Sequence, residues 1–548
     1  MGTQFKRSVL SAAVALMLAA CGGGGSTDGT PVAPNALTLS GTAATGAAIA
    51  NAPVAAKCAT GSGTATTAAN GSYTIAITGG SLPCVIEVRP TSGGALRSVI
   101  DGSGSGSVSV NITPLTELIA AHLAGGAPAD LFTTFDAAAQ AKLGTPAVNA
   151  AIAAIVAALQ GVVDIAGMNP IKDTLVIGNP LDQKLDALQA ALAAAQTTLA
   201  EVVAAVATSG ASTAPVSTLL KPAAASCAGF RSGKYRVLNP HEVGHDAAYV
   251  AHLITVDAAT LKVTDDLDAT RTQQTITPDA ASPCKFTIPG DFGLATVLVS
   301  RSGLSVVLSP ASTGQLRTSI VVPEQALPVS DLAGTWNVLG YGHQTLGSAL
   351  APLAATLTVD STGNVTARSE CAGLSACTAL APPLGSFVAN PAGGFNLGAG
   401  RVFAFKTATG KVSLYLVDTE TGSMAVATRQ AALALPVVGD VTNFWDFSAG
   451  SNGVASTPIA TTVTVKTVDA AAARFTRQRA SDGRIDGFAI NTPRAGLRYR
   501  AAGTSATTSG GSVGFSEIVV MPLADTGISV YTSVAATQSF FGVSVGKP

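Results

Sequence analysis

From Ala36 onward the chain alternates. "ALTLSGTA", "APVAAKCA", "GSYTIAI" and "SVSVNI" put apolar side chains at every second position, in short β-branched runs bounded by Gly, Pro or Asn. Period two with such punctuation predicts half-buried strands over residues 36–112. Asn70-Gly71, between two of these runs, is a strong hairpin signal. At Thr113 the period changes. "TPLTELIAAHLAG" opens with a Thr cap and a Pro at the first helical position, and "PADLFTTFDAAAQAKLG" and "TPAVNAAIAAIVAALQG" follow, each stopped by Gly. Leu181, Leu185, Leu188, Leu192, Leu199, Val202, Val203 and Val206 then recur at helical spacing between a cap at Asn179 and a stop at Gly210. Four helices, each with one apolar face, predict a small bundle over 113–210. His122, isolated among Ala and Leu, reads as a packing residue of the first helix.

From Cys227 period two returns, and the pattern repeats. "SGKYRVLNP…AHLITVDAATLKVT" is answered by "AGTWNVLGY…AATLTVDSTGNVTA", and a weaker third copy begins "ALPVVGDVTNFWDFSAG". Tyr235, Trp336 and Trp445 anchor the copies at intervals of about a hundred residues, longer than a propeller blade or solenoid coil. Each copy holds seven to eight short strands in meander order, enough to close an up-and-down barrel. The expected domains are a β-sandwich (36–112), a helical bundle (113–210), a linker (211–226) and β-modules at 227–326, 327–434 and 435–548. The fold class is therefore multidomain: an N-terminal β-sandwich, a central α-helical bundle and C-terminal all-β tandem modules, barrels or sandwiches.

Composition narrows the partners. Charged residues make up 11% of the chain and nearly balance, for a net charge of −1, so no basic field invites nucleic acid. The N-terminus narrows the compartment. Lys6 and Arg7 precede the apolar "VLSAAVALMLAA", which is too short to span a bilayer, and "LAAC" ends at Cys21. This resembles the lipobox of bacterial lipoproteins. The resemblance implies cleavage before Cys21, acylation of its thiol, and a flexible tether in "GGGGSTDGTPVAPNA" (22–35). By resemblance to Gram-negative lipoprotein sorting rules, Gly22 in place of Asp after the cysteine implies the outer membrane. In an exported chain the other cysteines read as disulfides between neighbours: Cys58 with Cys84, Cys227 with Cys284, and Cys371 with Cys377.

Two further resemblances concern fold. "SGTAATGAAIANAPVAAKCATGSGTATTAANGSYTIAI", with Ala52-Pro53-Val54 and Gly71-Ser72-Tyr73, resembles the carboxypeptidase regulatory-like (transthyretin-like) sandwich family, which implies a spacer or binding module. Gly233-Lys234-Tyr235 and Gly334-Thr335-Trp336 look like the G-x-W of lipocalin-like barrels, in which the ring plugs one end. The third copy, Asn443-Phe444-Trp445, lacks the Gly and departs from that pattern.

One motif points to catalysis. His241, Glu242 and His245 spell H-E-x-x-H, in which zinc proteases hold their metal on one face of a helix. Here "GKYRVL" before it and "YVAHLITVD" after it read as strands, so residues 241–246 are expected on a loop. The extended metalloprotease motif fails, since its Gly falls on Ala248 and its third His on Ala251. A zinc site of His241, Glu242, His245 and His252 is the metal alternative, and a zinc-dependent hydrolase or a structural envelope protein is the functional one. The favoured expectation is a non-catalytic outer-membrane or surface lipoprotein, with no required cofactor, that binds an apolar ligand, glycan or protein partner through its β-modules.

Overall fold

The computed structural model describes residues 36–91, 93–210, 212–239, 247–267, 273–343, 349–372, 376–418, 420–508, 510–533 and 539–548. Cys21 and the tether lie outside the described residues.

The alternating runs at the N-terminus form two facing sheets. Ser72–Thr78, Ala36–Thr42 and Gly106–Ser109 make one, with the last strand parallel to its neighbour. Ser62–Thr66, Pro53–Thr60, Ser81–Val88 and Leu96–Gly104 make the other. Cys58 and Cys84 stand opposite each other on paired strands and are bonded. Gly41 permits the close passage of the chain at Val110, whose oxygen would lie 1.8 Å from a Cβ there.

The helices share the core of the sandwich. Leu115, Leu118 and Ile119 of helix Pro114–Ala124 belong to one continuous buried cluster with Leu37, Ile86 and Val99 of the sheets. Thr113 caps that helix in a capping box with Thr116, and Gly125 ends it in the left-handed conformation at φ 64°. Two of the expected helices are broken. Residues 128–144 hold two short ones, Pro128–Thr133 and Ala137–Ala141, the second capped by Asp136. The stretch from Asn179 to Gly210 is likewise two helices, Pro180–Ala194 and Leu199–Ser209, set at 96°. Gln196 turns left-handed at φ 48°, and Thr198 and Glu201 form a new capping box. Among the described residues no single helix is long and apolar enough to cross a membrane. Beyond them Ala214–Leu219 is a further short helix, and Ala223–Ala224 pairs with Cys227–Arg231.

The rest of the described chain is mostly strand, rolled into three β-modules. In the first, nine strands run from Gln274–Thr275 at one edge to Thr277–Pro278 at the other. Only Ile276 separates these edges in the chain, so the sheet curls until its ends meet at a seam. The second is also nine-stranded, from Ala376–Ala379 to Val388–Ala389. The third is a closed barrel of eight strands, its first strand Val441–Gly450 pairing with its last, Phe540–Gly546. The copy that departs from the G-x-W pattern is thus the one whose wall closes completely.

Tyr235 and Trp336 occupy equivalent places. Each is buried, and each donates a hydrogen bond to the carbonyl four residues earlier: the Tyr235 hydroxyl to Arg231 at 2.6 Å, the Trp336 Nε1 to Leu332 at 3.0 Å. Gly233 (φ 145°) and Gly334 (φ 137°) make the turn before them, in a region that side chains disfavour. Trp445 differs. It points away from its own barrel into the core between modules, and Phe444 faces inward instead. That common core joins residues of all three modules, including Leu238, Tyr341, Phe403, Trp445 and Phe541, and the rings of Tyr341 and Phe541 stack at 6.2 Å. Buried Arg236 of the first module binds Glu324 at 3.0 Å and the Ala392 carbonyl of the second at 2.8 Å. The modules are one packed body.

Candidate functional site: cavities of the β-modules

Strand alternation sends every second side chain of the first module inward. Val237, Ile254, Val256, Val263, Ile288, Val297, Val307 and Val321 meet there around a cavity of ≈180 Å³. One end is stoppered by aromatic rings. Phe230 lies 5.1 Å from Phe286 and 6.4 Å from Tyr235, and the Cys227–Cys284 disulfide ties the strand carrying Phe230 to the chain beside Phe286. Burial pushes the Tyr235 hydroxyl up to about 12, so it stays a neutral donor.

The other end is polar. Asn239, His252, Asp265, Ser309 and Ser319 line it. Ser319 donates to the Asn239 side chain at 2.5 Å, and the Asn239 amide donates to the Tyr249 carbonyl at 2.9 Å. His252 Nε2 stands 3.7 Å from Asp265 Oδ2, with the two side chains 10% and 23% exposed. Tyr235 and Asn239 bracket one strand, so stopper and polar end lie about 13 Å apart at ~3.3 Å per residue. The arrangement is an apolar slot with polar groups at one end.

His241, Glu242 and His245 lie outside the described residues. What flanks them is described: strand Gly233–Leu238, a four-residue helix Ala247–Val250, then strand Ala251–Asp257. The flanking strands pair directly, Val237 opposite His252. His252 therefore belongs to a wall strand of the module, beside Asp265. Among the described residues no group of three or more His, Cys, Asp or Glu is placed to hold a metal.

The third module encloses a second cavity, of ≈290 Å³, with a different lining. Arg477 and Arg479, then Arg498 and Arg500, stand two apart on their strands and so face inward together, with Arg484 beside them. Asp486 pairs with Arg484 and Arg500, each at 3.0 Å, and Asp482 with Arg479. Asp446 accepts from Ser544 at 2.7 Å, and burial raises its carboxyl above the ordinary range. The sequence signal was present in "RFTRQR" and "RYR", where alternate arginines on a strand share a face. Alternating charge on a strand ordinarily marks the solvent side, so the pattern does not announce a lined interior.

The remaining disulfide joins Cys371 and Cys377 across a hairpin of the second module. Arg494 Nη1 of the third module lies 3.1 Å from the Cys377 sulfur.

No family model and no curated protein matches the chain. Among solved structures, a protein of unknown function of the DUF3598 family from Nostoc punctiforme aligns at 9% identity and a TM-score of 0.15, over 41% of this chain and 99% of that one. Transferrin binding protein B of serogroup B Neisseria meningitidis aligns at 7% identity and 0.20, over 54% of this chain and 65% of that one. The same protein of Haemophilus parasuis, a vaccine antigen, aligns at 8% and 0.20, over 54% and 66%. Scores this low identify no shared whole-chain fold.

Proposed function

We propose that the protein is a lipid-anchored outer-membrane protein without catalysis of its own, which holds a small, mostly apolar ligand inside its first β-module. The single observation that carries the reading is the ≈180 Å³ cavity walled by Val and Ile and lined at one end by Asn239, His252 and Asp265. A concave apolar site with a few convergent polar groups is the usual form of a small-molecule site. The ring stopper and the disulfide beside it hold the slot open without needing the ligand. In this reading the sandwich and helices (36–210) set the binding unit off from the membrane to which Cys21 is attached.

The test uses N-phenyl-1-naphthylamine, a neutral probe that brightens in apolar surroundings. Wild-type protein should bind it saturably. Val307→Trp, which fills the slot from one wall, should weaken binding at least tenfold while circular dichroism stays unchanged. Equal binding by the folded variant, or none by the wild type, would overturn the reading.

A further inference from the structure

The cavity of the third module is lined by more cationic than anionic side chains. Five guanidiniums line it or its rim: Arg477, Arg479, Arg484, Arg498 and Arg500. Three carboxylates answer them. Asp482 is committed to Arg479, and Asp486 is shared by Arg484 and Arg500. Asp446 is held by Ser544, and burial favours its neutral form.

Arg477 and Arg498 are left over. Among the described residues neither guanidinium has an ion pair or a side-chain hydrogen bond; both side chains are partly buried, and the Nε of Arg477 is fully enclosed. What they touch is aromatic. Arg477 lies 4.6 Å from the Phe488 ring and 5.8 Å from Phe444, and Arg498 lies 5.8 Å from Phe475. A ring face stabilises the guanidinium plane, but it accepts nothing along the N–H edges. The Nε of Arg477, Arg484 and Arg500 are all buried donors without an acceptor. A buried cation is costly unless it is paired and hydrogen-bonded, and several unmet donors around one cavity multiply that cost.

We propose that the third β-module binds a small oxyanion, carboxylate or phosphate, with Arg477 and Arg498 as its principal partners. The planar donor fork of Arg matches the two oxygens of such a group. Phe444 and Phe540, also in the lining, give an organic anion an apolar surface to lie against. This site is separate from the slot of the first module and does not depend on it.

The experiment follows thermal unfolding and calorimetric binding of the full chain with inorganic phosphate and with benzoate, against chloride at equal ionic strength to remove general screening. At least one of the two anions should bind saturably and raise the melting temperature beyond chloride. Tighter binding of benzoate would assign an organic carboxylate, and tighter binding of phosphate a phosphate group. Arg477→Gln and Arg498→Gln should each weaken the effect at least tenfold, and Val307→Trp should leave it intact. No specific effect of either anion, or an undiminished one in folded variants, would overturn the proposal. If neither variant folds, phenylglyoxal modification of the wild type mapped by mass spectrometry decides. Protection of Arg477 and Arg498 by the anion supports the site, and equal modification with and without it refutes it.

Discussion

Arg97 lies between two buried carboxylates. Its Nη2 meets Glu87 at 2.8 Å and its Nη1 meets Glu117 at 2.9 Å, while its backbone N–H donates to the other Glu117 oxygen. Arg89 also pairs with Glu87, whereas Glu117 has Arg97 for its ion pair. Burial, with a contribution from Glu87 and against the pull of Arg97, pushes the Glu117 carboxyl up to about 7 from its ordinary 4.5. The folded state therefore holds this proton more tightly than the unfolded one. That contribution to stability is complete below pH 4.5 and is lost as pH rises through about 7. At ~1.4 kcal/mol for each tenfold change, the full effect is roughly 3 kcal/mol. Glu117→Gln removes the titration, so its melting temperature should fall less between pH 5 and pH 8 than that of the wild type. Parallel pH curves for the two proteins would show that Glu117 is ionised throughout.

Elements were legible where a local period decides them. The strands of the sandwich and the first turn of helix Pro114–Ala124 follow from alternation, a Thr cap and a Pro at the first position. The break at Gln196 was also written locally, in the box of Thr198 and Glu201, but the unbroken leucine stripe on either side outweighed it. The register in which a barrel closes was not legible. It depends on pairings such as Trp445 with Val545, made by residues about a hundred apart, and no short pattern records such a register. The inward arginines were hidden for a related reason. Only closure tells which face of "RFTRQR" is inside, and closure also decides that Phe444, not Trp445, enters the barrel. The first cavity was legible only as an expectation of barrels. Its polar end is assembled from Asn239, Asp265 and Ser319, on strands far apart in sequence.

At the scale of the whole molecule, three similar modules around one core have diverged in what they enclose. The first holds an apolar slot, the third an arginine-lined chamber, and the shared core fixes both in one body. The proposed anchor at Cys21 would keep that body at the envelope. Mass spectrometry of the mature N-terminal peptide should find Cys21 acylated, and Cys21→Ser should shift the protein from the membrane to the soluble fraction. An unmodified Cys21 at a free or extended N-terminus would remove the anchor from the account. Methyl NMR of isoleucine-labelled protein titrated with N-phenyl-1-naphthylamine tests the proposal that the first module holds a ligand inside it. Ile254, Ile276 and Ile288, which line the slot, should shift together and saturate, while Ile119 and Ile155 in the distant helical core stay in place. Binding that leaves those three methyls unmoved would contradict it.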